Sequence, residues 1–288
     1  MSKVVLIPKG KLEKLPEVMR SFGLERFRDK EVLVKLHMGE RGNKWYVKPG
    51  YVKIVADELK KIKAKPFLFD TAVIYRGGRD SKEKYMEVVK EHGFDKIGYE
   101  VVIGDEGKPV RMSESGIEFT YEVAKELYKT KYTIAMSHAK GHILTGFGGA
   151  IKNFGMGGVS KKAKLDMHSA SVKKKILSLG RSKISFNEIL SLGAKACLNK
   201  KDVIYINFLM DITKNCDCDS NALPIICEDI GILVSNDPVA IDIASVDLIE
   251  GGMGKTFKET TGMDARTHIR FAEEIGMGST KYELIKVK

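Results

Sequence analysis

Short apolar runs separated by helix-length amphipathic stretches constrain this chain more than any other feature. KVVLI (3–7), VLVKL (32–36), TIAMS (133–137) and IYINFLM (204–210) are strand-length and far short of the roughly 20 apolar residues that cross a bilayer. Strands are predicted at Lys3–Ile7, Glu31–His37, Pro66–Asp70, Tyr99–Ile103, Tyr132–Ser137, Asp202–Leu209 and Gly231–Val234. Helices are predicted from Pro49 through YVKIVADELKKIKA, and at Ser81–Glu91, Tyr121–Tyr128, Ser185–Asn199, Pro238–Ile249 and Thr267–Ile275. Pro49 suits a first helical turn, and Ser185 with Glu188 three residues on forms a capping box. Such alternation predicts an α/β fold, two-lobed, with parallel or mixed sheets covered by helices. The basic, weakly periodic stretch 169–185 marks the expected boundary between a lobe at 1–180 and a lobe at 181–288.

The chain has 288 residues, 43% of them hydrophobic, enough for a sizeable core. No signal peptide precedes the first strand, which points to a cytoplasmic protein that is not in a membrane. A net charge of +11 raises nucleic-acid binding, but the lysine clusters at 59–65, 160–164 and 173–175 lack interleaved aromatics and read as solvated helix faces. Four cysteines are too few for a disulfide framework in a chain this long.

Residues 137–169, SHAKGHILTGFGGAIKNFGMGGVSKKAKLDMHS, hold three of the six histidines, a glycine run and a lysine. Glycines allow close backbone approach, and imidazoles serve as metal ligands or acid/base groups near neutral pH. Gly146, Gly148 and Gly149 lead into Lys152, between His142 and His168, so the segment reads as a site. A helix expected to start near Gly148 would also offer free N–H groups to an anion. His138 and His142 share the four-residue spacing of a zinc-binding helix, but a strand leads into them and the glutamate is missing. Gly254-Lys255-Thr256 lacks the first glycine of a P-loop, and there is no G-x-S-x-G elbow. Cys216-Asp217-Cys218 would place two thiolates on one side of an extended strand, able to share a metal; ordinary loop thiols are the plain alternative. His37, at a strand end, is a further candidate for the cleft.

Six blocks in order resemble domain-of-unknown-function family 362: KLHMGERGNKWYVKP (35–49), FDTAVIYRGGR (69–79), KEHGF (90–94), SHAKGHILTGFGGAIKNFGMG (137–157), NFLMDITKNCDC (207–218) and EDIGILVSNDPVAIDIASVDLI (228–249). Members of that family often carry an inserted ferredoxin-like iron–sulfur module after the block ending here at MHS. Residues 169–185 hold no cysteine, so this chain departs from them. HILTGFGGAIK (142–152) and MHS (167–169) are also similar to the H-x-x-A-G-[FY]-S-G-G-x-K and N-H-S stretches of the nickel-pincer lactate racemase family. That similarity implies His142 as an acid/base, Lys152 as the cofactor-tethering lysine and His168 as a metal ligand. Thr71 to Arg76 loosely resembles the same family's substrate stretch, with Tyr75 in place of its histidine, and nothing near Ile103–Asp105 matches its second catalytic histidine.

Three functions follow as expectations. The first is an enzyme that uses a transition metal (nickel, zinc or iron) or a pincer-like cofactor on a small carboxylate-bearing substrate. In it Lys152, with Gly146, Gly148 and Gly149, holds the cofactor, His142 moves a proton, and Arg76 pairs with the carboxylate through its planar fork. Its metal set is His168, Cys216 and Cys218. The second is an iron–sulfur or metal-carrying redox protein centred on Cys216 and Cys218, working with a separate ferredoxin. The third is a binding protein with a small-molecule pocket and no chemistry.

Overall fold

The computed structural model describes residues 1–173 and 184–288. In chain order its strands are β1 (Ser2–Pro8), β2 (Glu31–Lys35), β3 (Lys65–Thr71), β4 (Val101–Gly104), β5 (Gly107–Glu114), β6 (Ile117–Ala124), β7 (Tyr132–His138), β8 (Lys140–His142), β9 (Gly146–Gly148), β10 (Asp202–Leu209), β11 (Gly231–Ser235) and β12 (Tyr282–Lys286). Eight of them form one sheet in the order β12-β1-β11-β10-β7-β2-β3-β4, while β5–β6 and β8–β9 are separate hairpins. Both pairings made by β11 are antiparallel and the other five in the sheet are parallel. This is the mixed α/β architecture expected from the strand–helix alternation. The proposed boundary at 169–185 falls largely outside the described residues, and the sheet takes strands from both sides of it.

The central strands are apolar on both faces because helices cover both, as parallel sheets require. Alternation divides their side chains cleanly. Leu33, Ala135, Tyr205 and Leu233 face one core, and Val34, Met136, Ile206 and Val234 face the other. The first core is closed by helices Ala150–Gly157, Phe186–Leu198, Pro238–Met253 and Thr267–Glu274, and by the β5–β6 hairpin. The second is closed by helices Leu15–Ser21, Pro49–Lys61 and Lys82–Glu91.

Local chemistry explains most elements. Pro49 opens its helix, Ser81 caps Lys82–Glu91 by accepting from the Lys84 N–H, and the Ser185/Glu188 capping box forms as predicted. Helix Pro238–Met253 is apolar nearly all round and is correspondingly buried. One expected helix is corrected. Tyr121–Ala124 belongs to strand β6, and helix begins only at Lys125. Ile117, Phe119, Tyr121 and Val123 alternate with polar residues, a two-residue period that a helical reading overlooks. Tyr121 then buries its ring and donates its hydroxyl to the Ile189 carbonyl at 2.8 Å.

The topology also locates a crevice. From β2 the chain winds outward through β3 and β4, with helices Pro49–Lys61 and Lys82–Glu91 on the second core's face. From β7 it winds the opposite way to β10, with helices Ala150–Gly157 and Phe186–Leu198 on the first core's face. The winding direction therefore reverses between β2 and β7. In open α/β sheets, ligands bind beyond the carboxyl ends of the strands at such a reversal.

Candidate functional site

A cavity of about 330 Å³ opens at that position. Its wall comes from the carboxyl ends of the parallel strands: Lys35 at the end of β2 and His37 just after it, Asp70 and Thr71 from β3, Ser137 and His138 from β7, and Cys216, Asp217 and Cys218 in the loop after β10. The β8–β9 hairpin adds Lys140 and His142, and two helices add Lys152, Asn153, Lys164 and His168.

His142, Lys152, His168, Cys216 and Cys218, singled out from sequence, thus border one cavity. Gly149 borders it too, whereas Gly146 and Gly148 are not on the wall. Gly146 instead takes φ +72° in the hairpin, where a Cβ would meet the Met263 carbonyl at 2.5 Å. A Cβ on Gly149 would strike Asp242 Oδ1 at 2.3 Å. Arg76 is exposed and off the wall; the buried arginine there is Arg79.

The expectation of an anion at the helix start is corrected. Helix Ala150–Gly157 begins at Ala150, and its first N–H groups are already taken. Asp242, on helix Pro238–Met253, accepts from Ala150 N–H at 2.7 Å, Ile151 N–H at 2.9 Å and Asn207 Nδ2 at 2.8 Å. A carboxylate from another helix therefore does the work assigned to a ligand.

The wall carries five basic side chains, Lys35, Lys140, Lys152, Lys164 and Arg79, against two carboxylates, Asp70 and Asp217, so it favours an anion. Lys35 Nζ pairs with Asp70 Oδ1 at 2.8 Å and donates to Asn153 Oδ1 at 2.8 Å. Burial lowers the Lys35 ammonium and Asp70 opposes it; burial also pushes Asp70 up, and Lys35, His37, Lys164 and Arg79 outweigh it and hold the carboxyl below its usual range. Asp217 sits among His37 (3.4 Å), His138 (3.6 Å) and Lys140 (3.0 Å). Burial works against its charge, but His37, Lys140 and His138 keep it well below the ordinary carboxylate range. Arg79 pairs with Glu40 at 3.1 Å, bonds the Tyr75 hydroxyl and lies over the Tyr85 ring.

Beside this charged floor lies a sulfur–nitrogen cluster. His142, Cys216 and Cys218 present ligand atoms that all lie within 4.8 Å of one another. His142 Nδ1 accepts from the Leu144 N–H at 3.2 Å and meets the Thr145 hydroxyl at 3.1 Å, which leaves Nε2 for the cavity. Burial, then Lys152 and Lys140, hold this imidazole neutral at ordinary pH. The hydrogen bond between the thiols raises Cys216 and, with Lys152 and Arg79, pulls Cys218 down to about 6. Lys152 Nζ stands 3.9 Å from Cys216 Sγ. The cysteines sit in a turn of the loop after β10, not on the expected strand extension; the turn brings both sulfurs round to His142. His168 is on the wall but outside this cluster, its ring stacked on Phe186 at 4.8 Å. His138 Nδ1 faces Asp217 Oδ2 at 3.6 Å, whereas His37 Nε2 is buried without a hydrogen-bond partner among the described residues.

Sequence reasoning passed over Lys35, Asp70, Arg79, Lys140, Lys164 and Asp217. A signal existed for some. His138, Lys140 and His142 are two apart in an extended segment and so share a side. Lys164 is a correction: its cluster reads as a solvated face, yet the residue is buried.

Among the described residues no helix is long and apolar enough to cross a membrane. No curated protein matches the chain in sequence. In structure, the lactate racemase apoprotein from Thermoanaerobacterium thermosaccharolyticum is similar, with a TM-score of 0.51 and 16% identity over 72% of this chain and 51% of that one. The likeness is one of fold, and this chain spans about half the racemase. A structural-genomics protein from Thermotoga maritima aligns at a TM-score of 0.44, with 11% identity over 87% of this chain and 58% of that one. The model of the domain of unknown function DUF362 matches residues 32–247, the stretch holding all the cavity residues described above, and the chain belongs to that family.

Proposed function

We propose that this protein is a metal-dependent enzyme acting on a small carboxylate-bearing substrate, with His142, Cys216 and Cys218 as the metal ligands. The observation that carries this reading is the convergence of one imidazole and two thiols on the wall of a cationic cavity. Two thiolates and an imidazole suit zinc or another borderline-soft ion, and three protein ligands leave a position open to the cavity. Such an ion would polarise a substrate oxygen. The chain's own groups supply the rest. Lys152 and Arg79 contribute the positive charge that attracts a carboxylate, and burial of the wall strengthens that attraction. His37, whose Nδ1 accepts from the Gly39 N–H at 3.0 Å, keeps a hydrogen on Nε2 as a neutral ring and presents a donor to a bound oxygen. An iron–sulfur cluster is a poorer fit, since Cys197 and Cys227 are not in the cluster and four cysteines are the usual set.

A second reading is favoured by Lys152 and His168 standing on one wall. There Lys152 tethers a nickel-pincer-like cofactor and His168 ligates its metal, as the racemase resemblance implies. Elemental analysis and intact mass after anaerobic purification test both. The first reading expects one metal per chain that survives His168→Ala and is lost in Cys218→Ser and His142→Ala. Added mass on Lys152, with metal lost in His168→Ala, replaces it by the second. A metal-free, unmodified protein that takes up neither zinc nor nickel refutes both.

A further inference from the structure

Lys164 is a cavity residue that neither reading uses. It lies on helix Lys161–Lys173, is 4% exposed, and reaches across to the end of β3. Its Nζ donates to Thr71 Oγ1 at 2.6 Å and to the Ala72 carbonyl. The Thr71 hydroxyl is itself donated to the Gly157 carbonyl, so toward Lys164 it can only accept. The buried lysines Lys35 and Lys140 each have a carboxylate within 3.0 Å, but Lys164 pairs with none among the described residues.

We propose that Lys164 is a nucleophilic amine that condenses with the carbonyl of a small 2-oxo acid held in this cavity. Two acceptors match the two N–H bonds of a neutral amine, and the remaining tetrahedral direction carries its lone pair. An ammonium would bring a third N–H without an acceptor among the described residues, and Asp70, the carboxylate that acts on it, is already paired with Lys35 at 2.8 Å. Burial, with Lys35, Arg79 and Lys152 nearby and only Asp70 opposing, holds the group at about 7, so much of it is free amine at neutral pH. A desolvated lysine beside other cations is the environment in which lysines form Schiff bases. The same cations that depress it attract the carboxylate of the substrate. In the step, nitrogen bonds to the carbonyl carbon, and the carbonyl oxygen leaves as water with the two amine protons. No oxidant or reductant is needed. The inference rests on the cavity's being a carboxylate site and not on which metal it holds.

The test is trapping with sodium cyanoborohydride and pyruvate, on purified full-length protein with and without prior chelation, read by intact mass and peptide mapping. The expected result is one reduced adduct on Lys164, absent in Lys164→Met. Its rate should rise with pH through a midpoint near neutrality, where a surface lysine's would rise near its usual value above 10. An adduct on Lys152 or Lys35 with Lys164 unmodified overturns the proposal, as does the absence of any adduct. Wild-type mapping decides the matter even if Lys164→Met folds poorly. Thermal shift with lactate, which has no carbonyl to trap, separates the two failures. Lactate binding without trapping overturns the amine's role and leaves the carboxylate site standing; no binding and no trapping overturn both.

Discussion

The free amine at Lys164 has a thermodynamic consequence that needs no substrate. Methionine approximates the lysine stem in length and flexibility without its nitrogen, so Lys164→Met removes the titration while largely filling the space. In the folded protein the group lies at about 7, mainly through burial, against an ordinary 10.5. Between those values the unfolded chain binds a proton that the folded chain does not, so wild-type stability rises with pH across the window. The slope approaches about 1.4 kcal/mol per pH unit, and flattens near 7, where the folded amine itself protonates. Relative to Lys164→Met, the wild type should therefore gain about 2 kcal/mol between pH 7 and pH 9. The loss of the bonds to Thr71 and Ala72 adds an offset, but one that changes little with pH. The assay is urea unfolding of both proteins at half-unit steps, all other titrating groups being common to the two. A constant difference across that range would show an ammonium with an ordinary pKa, and the nucleophile would be refuted with it.

Asp242→Ala leaves the N–H groups of Ala150 and Ile151 and the Asn207 amide buried without their acceptor; about 4 kcal/mol should be lost, and Tm should fall by roughly 10 °C in a calorimetric scan. An unchanged Tm would mean that the first turn of helix Ala150–Gly157 finds other partners. Arg79→Met should cost about 3 kcal/mol by leaving Glu40 buried without its ion partner, with part recovered in Arg79→Met/Glu40→Gln, and should weaken carboxylate binding measured by calorimetry. Arg76→Ala should stay within about 0.5 kcal/mol of wild type and bind as well; the opposite ranking would return the carboxylate role to Arg76.

What the sequence determined by itself was local in origin. Apolar runs and caps placed the central strands and most helices, because strand period, proline at Pro49 and the Ser185 capping box act over a few residues. The chemistry of residues 137–169 was legible for the same reason, since His142, Lys152 and His168 are close in the chain and stand on one wall. The β5–β6 hairpin escaped that reading: no element is expected over 107–120, and the end of β6 at Tyr121–Ala124 reads as the start of a helix. Tertiary structure decided the rest. Which histidine joins Cys216 and Cys218 depends on a turn more than seventy residues from His142, and it brings His142 to them where the family resemblance implied His168 as the metal ligand. Whether a lysine is solvated or buried depends on what a helix packs against, so SKKAK looked like surface while Lys164 reached the end of β3. Who satisfies a helix's first N–H groups depends on a partner nearly a hundred residues away, and Asp242 took the place expected for a ligand. Patterns of three or four residues carry periodicity and capping; burial and charge pairing arise only when distant strand ends meet at the β2–β7 reversal.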